Sequence, residues 1–131
     1  MNKEIKFDKN DKCIIVKIPI SINCRKNIFE ATRRCWRANR DRAEKANFIL
    51  GTVDGTVECV IKITGCDYVK TEFCKKEEEK CRRLFNANTE LCKTYRRIAF
   101  EGNEIKNDKK YLNKKLPENY IPIQNPIRYT Y

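Results

Sequence analysis

The 131-residue chain contains no histidine, one tryptophan, one methionine, four glycines and four prolines. Without histidine, Cys–His and Ser–His nucleophile pairs, histidine metal ligation and imidazole acid–base chemistry are excluded for this chain acting alone. Its charge is also insensitive to pH near neutrality. Acidic residues are scarce beside basic ones: 18 Asp and Glu face 29 Lys and Arg, for a formal charge of +11. No apolar run reaches the roughly 18 residues of a membrane helix. The first twelve residues, MNKEIKFDKNDK, carry no apolar core of a signal peptide. A soluble cytoplasmic protein with no membrane association is the expectation.

Few glycines and prolines, with 40% hydrophobic residues, describe a folded domain instead of a basic disordered tail. The length corresponds to a single domain, residues 1–131. Eight cysteines (Cys13, Cys24, Cys35, Cys59, Cys66, Cys74, Cys81, Cys92) include no C-x2-C pair. A structural zinc site usually needs such a pair. Reduced thiols packed as small hydrophobes are expected, with no metal and no cofactor.

Cys13–Ile20 (CIIVKIPI) is β-branched and reads as a strand that leaves its sheet at Pro19. Asn27 is placed to cap one helix from Ile28 to Ala46, with Glu30 as the acidic half of a capping pair. Its apolar sector is Ile28, Phe29, Ala31, Thr32, Cys35, Trp36, Ala38, Ala43 and Ala46. In Phe48–Ile63 the pair Asp54–Gly55 predicts a hairpin with a type I′ turn. Pairing Val53 with Thr56 puts Phe48, Leu50, Thr52, Val57, Cys59 and Ile61 on one face. Both hairpin faces are apolar, as in a sheet that curls or is covered on its second side. Charged residues over about 70–88 read as a surface helix inserted into the domain. Tyr95–Glu101 reads as a strand closed by Gly102, and Ile127–Tyr131 as a terminal strand. The fold class expected is α+β, with a small curled, mostly antiparallel sheet or a pseudobarrel, packed with two or three helices.

Within the helical segment Asn39 and Arg42 fall in the apolar sector. A guanidinium there must meet a carboxylate or backbone carbonyls, look into a polar cleft, or pass the helix edge to solvent. From Arg25 to Lys45 eight basic residues face three acidic ones. Arginine suits bidentate phosphate contact and base stacking. Arg33, Arg37 and Arg40 are therefore candidates for phosphates, Trp36 for stacking, and Asn39 with Arg42 for hydrogen bonds in a cleft. Arg97 and Arg128 interleave with aromatics in YRRIAF and PIRYTY and are further candidates.

The strings EATRRCWRANRDRAEKANF, RRIAFEG and NPIRYTY resemble a set of small bacterial proteins without assigned activity. These share an EATRGxW…RAxKADY helix, an RWxFxG strand and a terminal NPIRY. Arg34, Asn47 and Ile98 depart from that pattern. The order of elements is similar to PUA-like pseudobarrels of the ASCH and EVE type, and this resemblance implies recognition of RNA or modified bases. The expected function is nucleic-acid binding, RNA foremost, without catalysis. One alternative is an accessory module whose charged segment Lys75–Arg83 meets an acidic partner. Another is a metal-dependent nuclease using Glu58, Glu101 or Asp54.

Overall fold

The computed structural model describes residues 3–18, 28–33, 36, 38–68, 98–121 and 127–131. Five strands form one sheet: β1 (Cys13–Lys17), β2 (Phe48–Val53), β3 (Thr56–Tyr68), β4 (Ile98–Glu104) and β5 (Ile127–Tyr129). Their order is β4-β3-β2-β1-β5. Only β1–β2 is parallel; β2–β3, β3–β4 and β1–β5 are antiparallel. The sheet is open, so the fold is α+β with a mixed, mostly antiparallel sheet. A parallel neighbour requires a crossover connection. Two short helices, α1 (Ile28–Arg33) and α2 (Arg40–Ala43), lie on the chain between β1 and β2.

The central strands are buried on both sides. Ile14, Val16, Ile49, Val53, Cys59 and Ile61 pack with Ala31, Ala43 and Ala46 on the helix side. Cys13, Ile15, Leu50, Val57 and Val60 pack on the other side with Ile5, Tyr111 and Leu116. That second cover consists of the residues before β1 and those after β4, joined as strand-like partners: Ile5 N–H donates to Lys115 O, and Lys115 N–H to Lys3 O. Tyr111 locks it, donating its hydroxyl to Asp11 at 2.6 Å, while Lys110 Nζ bridges Asp8 and Asp11. Burial, then the Asp11 bond, raise the Tyr111 phenol.

The hairpin turn is as expected, with Asp54 at φ 53° and Gly55 at φ 80°. Its face assignment is corrected. Thr52 pairs with Val57 but Gly51 pairs with Cys59, so Glu58 is an extra residue in a β-bulge. Beyond it Cys59 and Ile61 turn to the helix side with Ile49, and Val57 and Val60 share the other side with Leu50. The bulge takes the single carboxylate of an apolar run out of the alternation, leaving Val57, Cys59, Val60 and Ile61 fully buried.

The single helix over residues 28–46 is also corrected. It is replaced by α1 and α2, with Trp36 between them in an antiparallel bridge to Ile98. Asn39 is the N-cap of α2: its side chain accepts from the Arg42 N–H at 3.0 Å. An Asn that satisfies the first-turn donors starts a helix instead of continuing one. Nor does Gly102 close its strand. It lies inside β4 opposite Ile63, where a Cβ would stand 2.2 Å from Lys62 O. Asn27, Pro19, the charged segment 70–88 and Tyr95–Arg97 lie outside the described residues.

α1 approaches the sheet through a fully buried Thr32 whose Oγ1 donates to Ile28 O at 2.7 Å. A Cβ on Gly51 would lie 2.0 Å from that oxygen. Gly51→Ala is therefore expected to cost about 1–3 kcal/mol through overpacking. In Thr32→Ala the same change should cost markedly less, a coupling readable from urea denaturation of the four proteins in the cycle.

Candidate nucleic-acid interface

Among the described residues, the helix-side arginines are largely engaged within the protein. Arg33 Nε binds Glu30 Oε2 at 3.1 Å, and its Nη1 donates to Phe100 O at 3.4 Å. Arg40 Nη2 lies 3.2 Å from Glu44 Oε1. These ion pairs use the same α1 and α2 turns that the arginines decorate, at i,i+3 and i,i+4. Trp36 is half-buried against the core, and its Nε1 donates to Thr32 O at 2.8 Å, closing the end of α1. Asn39 is occupied as a cap. Arg128 is exposed on β5 and donates to Asn119 O. Arg37 and Arg97 lie outside the described residues.

Arg42 meets backbone and aromatic groups instead of a carboxylate. Its guanidinium carbon sits 4.1 Å from the Tyr129 ring centroid and 5.4 Å from that of Tyr131. Nη2 donates to Tyr131 O, and the Tyr131 hydroxyl donates back to Arg42 O at 2.7 Å. Ile127, Tyr129 and Tyr131 reach the helix side, while Arg128 is exposed, so the alternation expected for the terminal strand holds. Two missed details explain Arg42: the helix restarts at Asn39, which alters the phase, and the terminal strand is adjacent only through its pairing with β1.

An open hollow of about 430 Å³ lies at the C-terminal end of α2, the helix that carries Arg42, lined by Glu44, Ala46, Ile63, Thr64, Gly65 and Cys66. It follows from a second bulge. Ile63 pairs with Gly102 and Gly65 with Glu101, leaving Thr64 out of the ladder and bending β3 beneath the end of α2. Cys66, on the wall of the hollow, packs against the same helix-side core as Tyr129 and Tyr131. Asn39 and Arg42 do not line the hollow; its α2-side wall begins two residues later, at Glu44. The sequence signal for it was Gly65 amid a β-rich run.

Among the described residues no three His, Cys, Asp or Glu side chains converge as a metal site. Cys13 and Cys59 are free and buried in the two cores, as small hydrophobes. No helix among the described residues is long and apolar enough to cross a membrane. No family model, curated protein or solved structure matches the chain.

Burial pushes the Cys13 thiol up to about 12, aided by Asp11, and burial likewise pushes Cys59 and the Tyr131 phenol up to about 12. Each acid is harder to ionise folded than unfolded. The associated stability is therefore complete below about pH 9 and falls as pH rises towards 12, because the unfolded chain loses these protons first. Urea midpoints at successive alkaline pH values should show that decline. Peptide-resolved alkylation at pH 8 should leave Cys13 and Cys59 unlabelled until the protein is denatured. Arg42→Lys retains charge but loses the planar stack. A loss of about 1 kcal/mol and faster amide exchange at Thr130, which bonds Cys13 O, are the expected results.

Proposed function

We propose that this protein is a small nucleic-acid-binding module, RNA foremost, acting in the cytoplasm without catalysing a reaction. The observation that carries the reading is the hollow at the end of α2, the helix bearing Arg42, in a chain of charge +11. Its volume lies within the range of small-ligand pockets, about 300–1,000 Å³. Ala46 and Ile63 offer apolar walls for a base, and Thr64 and Glu44 offer hydroxyl and carboxylate groups for its edge. Arg42, fixed on two tyrosines, adds a cation on the helix that ends at the hollow. The resemblance to PUA-like domains points to the same ligand class.

Fluorescence anisotropy with labelled single-stranded and duplex RNA and DNA tests the reading. Binding is expected to favour single-stranded RNA and to weaken by at least tenfold between 50 and 200 mM salt. Filling the hollow with Cys66→Phe should reduce the preference for single strands, since a splayed base loses its place. Absence of binding to all four probes at 50 mM salt would end the proposal.

A further inference from the structure

The greatest concentration of exposed cations in the described structure is not on the helix side. Residues 3–12 and 105–116 hold nine lysines (Lys3, Lys6, Lys9, Lys12, Lys106, Lys109, Lys110, Lys114 and Lys115) against four carboxylates. These segments are about a hundred residues apart in the chain and meet only in the fold, along the backbone bonds linking Lys3, Ile5 and Lys115. Together they form the cover over the second core, with Ile5, Tyr111 and Leu116 turned inward. Eight of the nine lysines are exposed, and Lys114 is partly so.

The carboxylates of this cover are largely engaged within it. Asp108 accepts from the backbone N–H groups of Tyr111 and Leu112 at 2.7 and 3.1 Å. Asp11 accepts from Tyr111 Oη and Lys110, and Asp8 from Asn10 N and Lys110. One lysine is thus held between two aspartates, and the others project from the exterior. Glu4 belongs to the cover, and Glu104 and Glu118 stand at its margins.

We infer that this lysine-bearing cover, on the sheet face opposite the helices, is a contact surface for the phosphodiester backbone of nucleic acid. Lysine supplies point charges without the bidentate fork that reads shape or base, so the contact is indifferent to sequence. An anionic membrane is the competing polyanion. Interfacial anchoring normally adds inserted aromatic or aliphatic side chains, and Ile121 is the one exposed large hydrophobic residue described. The inference rests on the nucleic-acid reading but assigns contact to a different face from the hollow.

The test compares the full-length protein with Lys106→Gln/Lys109→Gln/Lys115→Gln, which spares Lys110. Thermal melting controls for folding; single Gln variants replace the triple variant if its melt is altered. Anisotropy with a 20-nucleotide RNA is recorded over several salt concentrations, alongside co-sedimentation with phosphatidylserine–phosphatidylcholine vesicles. Loss of three contacts should reduce the slope of log K against log salt by about two on single strands, with an affinity loss of tenfold or more at 50 mM salt. Wild-type affinity and slope in the lysine variant would overturn the inference while leaving nucleic-acid binding intact. No RNA binding by the wild-type protein would overturn both, and vesicle binding without RNA binding would assign the surface to membranes instead.

Discussion

The first four residues of strand β1 have no polar side. Ile14 and Val16 face the helices and Cys13 and Ile15 face away, all with zero exposure, and the same holds for Ile49 and Leu50 on β2. Burying each of the larger side chains contributes about 1.5–3 kcal/mol, so neither sheet face can be left to water. Everything else in the architecture answers that requirement. α1 and α2 cover one face. The stretch following β4, zipped to the residues preceding β1, covers the other. The second cover contains little regular secondary structure, so its backbone groups are satisfied by strand-like bonds, the turn around Asp108 and the Tyr111–Asp11–Lys110 cluster.

The two bulges in β3 reconcile this burial with a sequence that does not alternate perfectly. At Glu58 an extra residue shifts the alternation so that four apolar side chains become fully buried on two faces. At Thr64 another bends the strand and opens the hollow below α2. A glycine supports each region by permitting close approach: Gly51 under Thr32, and Gly102 against Lys62 O. The hollow is therefore a by-product of fitting one long strand into a doubly covered sheet.

Charge follows a similar division. Arginines on the helix side are short-range partners of Glu30 and Glu44, and Arg42 ties the helix segment to the terminal strand. The lysines of the opposite cover have few acidic neighbours to meet, and the aspartates there are committed to shaping loops. Among the described residues, Arg33, Arg40 and Arg42 thus serve mainly internal contacts, while the lysines of the cover supply outward positive potential.

Local patterns determined the β-branched strands, the Asp54–Gly55 turn, the apolar side of the terminal strand and the burial of Cys13 and Cys59. Each depends on neighbours within a few residues, where φ preferences and alternation act directly. Only tertiary structure decided that Trp36 bridges Ile98 instead of continuing a helix, that Glu58 bulges, that Arg42 rests on Tyr129 and Tyr131, and that two distant lysine-rich segments share one face. Those outcomes turn on which distant segment covers a given apolar surface. Helical periodicity near Asn39 carried no information about the strand waiting beside it.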